Sequence, residues 1–132
     1  LLVNNTVVDN GSSGVVAHFY GVVTLPNNII AGHATGLETP DPFSGTISAD
    51  TNLFWNTSDP TTVTNGLRQE PRLTANYHLG QDSPALDTGV TIPWLTIDLD
   101  GRPRPQGSKY DIGAFEGAWQ EVCLPLVLRN SP

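Results

Sequence analysis

The first half of the chain alternates short runs of β-branched and apolar residues with small clusters of Gly, Asn, Asp and Ser. Period-2 runs bounded by such clusters read as short β-strands. The runs repeat. Asn5, Asn28 and Asn52 align at offsets of 23 and 24, within Asn4-Asn5-Thr6-Val7-Val8, Asn27-Asn28-Ile29-Ile30-Ala31 and Thr51-Asn52-Leu53-Phe54-Trp55. Upstream of the last two, Val23-Thr24-Leu25 falls over Ile47-Ser48-Ala49, and Gly14-Val15-Val16 falls over Gly36-Leu37-Glu38 at an offset of 22. A fixed period of this length suits a parallel β-solenoid, in which each strand pairs with its copy one turn later.

Stacking makes the reading testable by columns. Val7, Ile30 and Phe54 form one apolar column, Leu2, Leu25 and Ala49 a second, Val15 and Leu37 a third. Thr24 over Ser48 is a polar, outward pair. Asn5, Asn28 and Asn52 stack as an amide ladder at a corner. Three short strands per turn are expected, with Gly11-Ser12-Ser13-Gly14 as a turn between two of them. A β-sandwich with coincidental spacing is the competing fold.

The period breaks after residue 64. Asn65–Glu116 is rich in Pro, Gly and Asp and reads as an irregular cap over the end of the solenoid. Within it, Ser83-Pro84-Ala85-Leu86 predicts one helical turn, with Ser83 as N-cap, Pro84 in the first position and Gly89 as the stop. Asp98, Asp100 and Asp111 are expected to accept backbone or arginine hydrogen bonds, with Arg102 and Arg104 as partners. Tyr77, Leu79, Ile112 and Phe115 are expected to cover the last turn. The chain divides into 1–64 (solenoid turns), 65–117 (cap) and 118–132 (an extended tail, read as a sorting or anchoring signal).

Composition narrows the function. The 132 residues include 13 Gly and 11 Pro, with only 14% charged residues, which disfavours long helices. Thirteen acids against six bases leave a net charge of −7, a surface that repels nucleic acid. The single cysteine, Cys123, excludes an internal disulfide framework and a cysteine-built zinc site. The apolar run Val122–Leu128 has seven residues, far fewer than the roughly 20 that span a bilayer. No signal-peptide pattern opens the chain, and its start reads as the interior of a strand, which suggests a piece of a longer protein.

The second half carries a resemblance. Asp82-Ser83-Pro84-Ala85-Leu86-Asp87-Thr88-Gly89, Asp98-Leu99-Asp100-Gly101-Arg102-Pro103-Arg104-Pro105-Gln106-Gly107 and Tyr110-Asp111-Ile112-Gly113-Ala114-Phe115-Glu116 occur in that order, preceded by Glu70-Pro71-Arg72-Leu73. Together with the repeat they resemble the C-terminal end of bacterial secreted right-handed parallel β-helix proteins of the pectate-lyase-like superfamily, the choice-of-anchor Q type. Thr88 departs from the alanine more frequent there, and Glu70 from an aspartate. The resemblance implies an all-β, single-stranded solenoid of about 23 residues per turn, a secreted or cell-surface location, and upstream turns of the same parent chain as partner. It implies a non-catalytic end that caps the solenoid and supports glycan binding or adhesion by the parent. The alternative is the terminal part of a polysaccharide lyase or glycoside hydrolase whose catalytic turns lie upstream.

The candidate chemistry is sparse. Alternation along Val15–Tyr20 turns Val16, His18 and Tyr20 outward, with Glu38 beside Val16 one repeat later. His18, Tyr20 and Glu38 are therefore the candidate contacts to a polysaccharide or cell-surface glycan, since aromatic faces stack on sugar rings. Asp98 and Asp100 suit half of a calcium loop, although a full EF-hand pattern is missing and a turn fixed by aspartates explains them as well. Asp82 and Asp87 belong to the family-like segment. Lys109, the only lysine, has no catalytic motif around it. His33 and His78 lack a metal or nucleophile pattern. Trp55 is either a sugar platform or cover over the last turn, with cover preferred. Asn4-Asn5-Thr6 and Asn56-Thr57-Ser58 fit the glycosylation sequon. No catalytic residue is assigned.

Overall fold

A computed structural model describes residues 1–17, 21–39, 45–58 and 63–117. Six strands form in order: β1 (Thr6–Val16), β2 (Val22–Pro26), β3 (Ile29–Glu38), β4 (Thr46–Asp50), β5 (Leu53–Trp55) and β6 (Val63–Thr64). They make two parallel three-stranded sheets, β1-β3-β5 and β2-β4-β6.

The register follows the repeat. Val7 pairs with Ile30 and Ile30 with Phe54, Leu25 with Ala49, Val15 with Leu37, and Thr24 with Ser48. Val16 also pairs with Glu38.

The expected right-handed β-helix is not what these strands build. Among the described residues there are two sheets and no third, and neither sheet closes into a solenoid. The reason lies in β1 and β3. Gly11–Gly14, expected as a turn, is part of β1, and the segment expected to start a separate strand at Val15 is the end of that strand. A bulge between Val8 and Gly11 carries β1 past the expected corner. Each repeat thus spends its residues on one long strand and one short one. The period then runs out: β5 has three residues and β6 two.

Two left-handed positions per repeat bend the chain. Asn4, Asn27, Thr51 and Asn65 have φ of 51–58°, and Asp9, Gly32 and Asn56 have φ of 52, 74 and 47°. Asn, Asp and Gly tolerate this region, while β-branched Thr51 is strained there.

Two apolar clusters result. Val15, Leu25, Ile30, Leu37, Ala49 and Phe54 fill the space between the sheets. Ile29, Ala31 and Leu53 face the other way and pack with Ala85 and Ile112 of the C-terminal segment. Sheet β1-β3-β5 is thereby covered on both faces over part of its length, which explains the uninterrupted Ile29-Ile30-Ala31 run.

Residues 65–117 contain turns and isolated bridges rather than strands. They are fixed through polar contacts. The Asn27 amide exchanges two 2.8 Å hydrogen bonds with the Val90 backbone, and the Gly113 N–H donates to Asn27 O at 2.8 Å. Asn4 Nδ2 donates to the carbonyls of Asp111 and Gly113 at 2.8 and 3.2 Å. The helical turn expected at Ser83 is an isolated turn. Ser83 Oγ donates to Pro71 O at 2.6 Å and accepts from the Ala85 N–H at 3.3 Å.

Candidate functional site

The outer face of β1-β3-β5 is covered at Ile29 and Leu53 and open at Val8, whose paired column continues through Ala31 to Trp55. Two adjoining cavities lie along this open part. One, of roughly 420 Å³, is bounded by Thr6–Val8, Asn10, Leu99 and Phe115. The other, of roughly 330 Å³, lies over Ala31, Gly32 and Trp55, with Glu70–Thr74 as its wall. Val8 and Tyr77 line both, so the two form one groove with Tyr77 at its divide.

Tyr77 is held there by a tight turn. Its N–H donates to Thr74 O at 2.9 Å, Thr74 N–H donates to His78 O at 2.9 Å, and His78 N–H donates to Thr74 Oγ1 at 3.2 Å. The turn forces Tyr77 to φ 63°, a left-handed conformation rare for a bulky residue, and leaves it 52% exposed. Trp55, at the far end of the floor, is 44% exposed. Two aromatic rings thus stand in a shallow groove, where a sugar ring can lay its C–H face on them.

His78 forms the rim beside Phe115, its ring stacked at 3.9 Å with an interplanar angle of 23°. Its Nε2 lies 2.9 Å from Asp100 Oδ2 and its Nδ1 3.0 Å from Asn76 O. Arg102 approaches the same Asp100 oxygen at 3.6 Å. Charged groups near Trp55 are Asp9, Glu70 and Arg72. Arg72 Nη1 donates to Asp82 O at 3.1 Å.

The residues singled out from sequence are dispersed. His18 and Tyr20 lie outside the described residues, as do Cys123 and the tail. Glu38 ends β3 and accepts a hydrogen bond from Ser13 Oγ, away from the groove lining. Asp98 is buried, and its carboxylate is occupied. Oδ1 accepts from the Asp100 and Arg102 N–H groups at 2.9 and 2.8 Å, and Oδ2 from the Glu116 N–H at 2.9 Å. That is the turn-fixing arrangement, and Asp100 turns away to His78. Among the described residues no group of three His, Cys, Asp or Glu side chains is placed to hold a metal ion. No helix among them is long and apolar enough to cross a membrane.

A buried charge network lies within the C-terminal segment. Arg104 Nη1 donates to Glu116 Oε1 at 2.6 Å, and its Nη2 donates to the Gly113 and Ala114 carbonyls at 3.0 and 2.8 Å. Of the backbone and arginine donors expected for the aspartates, Asp98 and Asp111 take backbone N–H groups, and Arg104 pairs with Glu116. Asp111 accepts from the Asp87 and Gly117 N–H groups at 2.6 and 2.5 Å. Burial, with Glu116 and Asp87 nearby, pushes its carboxyl up to about 6 against the pull of those two hydrogen bonds.

Tyr77 and Trp55 are the groove residues that sequence reasoning assigned to cover. The available signal was local. Tyr77 follows the turn-forming Thr74-Ala75-Asn76, and an aromatic residue at a turn tip is seldom a core residue. Compared with known proteins, the chain matches no protein-family model, no curated protein and no solved structure.

Proposed function

We propose that this chain is a non-catalytic carbohydrate-binding part of a secreted or cell-surface protein, holding a neutral glycan along the outer face of β1-β3-β5. The observation that carries the reading is Tyr77, a strained, half-exposed aromatic at the divide of a two-lobed groove that ends at Trp55. Strain at an exposed aromatic is retained where its position serves a contact. The net charge of −7 argues against acidic polymers as ligands.

The test is a titration of the chain with neutral and uronate-containing oligosaccharides, followed by calorimetry. Stacking contacts of about 0.5–1.5 kcal/mol each predict that Trp55→Ala and Tyr77→Ala each weaken binding roughly two- to twelvefold. Unchanged affinity in both variants, or preference for the uronates, refutes the assignment.

A further inference from the structure

Each ring nitrogen of His78 faces an oxygen that can only accept. Nδ1 lies 3.0 Å from the Asn76 carbonyl, and Nε2 lies 2.9 Å from Oδ2 of the Asp100 carboxylate. A carbonyl and an ionised carboxylate have no hydrogen to give, so both contacts are hydrogen bonds only when both nitrogens carry one. That state is the imidazolium. A neutral ring has a single N–H and sets a lone pair against one of the two oxygens, whichever tautomer it takes.

The ring ties two turns together. In the first, the His78 backbone bonds Thr74 through both its N–H and its carbonyl, and the His78 ring closes back on Asn76. Tyr77 is thus the residue between two fixed points. In the second, Asp98 Oδ1 accepts from the Asp100 and Arg102 N–H groups and so presents Asp100 to the ring. The Phe115 ring stacks on the imidazole and fixes its plane. The ring's charged neighbours are Asp100 and Arg102, which approaches the same carboxylate oxygen at 3.6 Å. Glu116, next to Phe115, is buried on Arg104, and the Asp98 carboxylate is filled by backbone N–H groups. The His78 and Asp100 side chains are 33% and 34% exposed, so the ring exchanges protons with solvent.

We infer that the His78 imidazolium is a latch that holds Tyr77 at the divide of the groove, so that glycan binding is strong while His78 is protonated and weakens as pH rises through the imidazole titration. The latch follows from the hydrogen-bond geometry; its effect on a ligand rests on the glycan reading. Histidine is the side chain that changes charge between about pH 5 and 8. Loss of its proton turns one of the two bonds into a contact between lone pairs. Tyr77 is then released from its φ of 63°, which a bulky residue keeps only when its surroundings impose it. The coupling is reciprocal, so a ligand that stacks on the latched Tyr77 draws a proton onto His78.

The experiment follows the isotope-labelled chain by NMR from about pH 5 to 8.5 and repeats the neutral-oligosaccharide titration across that range. Both ring nitrogens of His78 are expected to give imidazolium signals at the acid end, and the Tyr77 amide to move along the same curve. Affinity is expected to fall with rising pH by no more than Tyr77→Ala costs, roughly two- to twelvefold. Tyr77→Ala and His78→Gln are expected to bind without that pH slope. The Asp111 carboxyl, pushed up to about 6, titrates in the same range but is bonded to Asp87 and Gly117. Asp111→Asn is therefore expected to keep the His78 and Tyr77 curves. A Tyr77 amide that stays still while His78 titrates overturns the inference, as does a neutral His78 ring at pH 5. So does a glycan affinity that is level across the range, or a full pH slope in Tyr77→Ala. Tyr77 signals that follow His78 in a chain that binds no oligosaccharide support the latch and refute the glycan reading.

Discussion

Asn28 should be the most expensive polar side chain to remove from the repeat, and Asn5 a cheap one. Asn28 is fully buried. Its Oδ1 accepts from the Asn5 N–H and Nδ2, and its Nδ2 donates to Leu2 O at 2.9 Å, Pro26 O at 3.0 Å and Asn52 Oδ1 at 3.0 Å. Asn28→Ala removes all of these contacts, in which the two Nδ2 hydrogens are shared among three acceptors, so they count as about four bonds. Each is worth about 0.5–1.5 kcal/mol net, and partners left unpaired in the interior add their desolvation cost. Leu2 is exposed and Asn5 half-buried, so water recovers part of this, and we expect a loss of about 3–5 kcal/mol. Asn5→Ala removes only the donations of Nδ2 to Val3 O and Asn28 Oδ1, both 3.0 Å and half-buried, and should cost about 1–2 kcal/mol. The assay is equilibrium urea unfolding, with slopes compared to confirm that the denatured state is unchanged. If the two variants differ by less than about 1 kcal/mol, within what one neutral hydrogen bond supplies, the ladder does not hold the repeats together.

Three further outcomes follow from the buried groups. Arg104→Met leaves Glu116 charged and buried without its cation, and should destabilise by about 3–5 kcal/mol; Arg104→Met with Glu116→Gln should recover part of that, measured by the same unfolding experiment. Because the Asp111 carboxyl is pushed up to about 6, the folded chain holds a proton that the unfolded chain has released between pH 4 and 6. The Asp111 contribution is therefore fully present below about pH 4 and lost as pH rises through 6, and Asp111→Asn should flatten the thermal midpoint across that window. An unchanged pH slope in the variant refutes the assignment. Thr51 takes the left-handed φ of 53° that Asn4 and Asn27 take in the other repeats, so Thr51→Asn should stabilise by about 0.5–1 kcal/mol, seen as a higher urea midpoint.

What the sequence made legible was the pairing. The offsets of 23 and 24 predicted the columns Val7-Ile30-Phe54 and Leu25-Ala49, because parallel stacking forces like residues over like. The number of strands per repeat was not legible. Gly11–Gly14 carries every mark of a turn, yet parallel pairing with the His33–Glu38 half of β3 keeps it extended. Local propensity lost to a tertiary partner. The groove was hidden for a related reason. Tyr77 and Trp55 are aromatic, and composition alone assigns aromatics to cover. Only the turn at Thr74 and the end of the short β5 hold them half outside.

The paired asparagines show how the repeat and the irregular half become one molecule. In Asn4-Asn5 and Asn27-Asn28 the second residue of each pair builds the ladder, and this column was visible from spacing alone. The first residue sits in the left-handed region, and that backbone reversal turns its side chain the other way. Asn4 thus reaches the Asp111 and Gly113 carbonyls, while Asn27 clasps Val90. A segment of 65–117 with no regular strands cannot satisfy its backbone through ladders of its own. It combines scattered backbone pairs, such as Gly89 N–H to Tyr110 O and Leu99 N–H to Ala114 O, with these amides, the carboxylates of Asp98, Asp111 and Glu116, and Arg104. The third repeat has Thr51 at the left-handed position, and its hydroxyl donates to Asp50 Oδ1 at 3.2 Å instead of making an amide clasp like that of Asn27 with Val90. The segment's amide clasps therefore fall on the first two repeats, and it meets the third through Leu67, whose N–H donates to Asn52 O and whose carbonyl accepts from the Phe54 N–H, both at 2.8 Å.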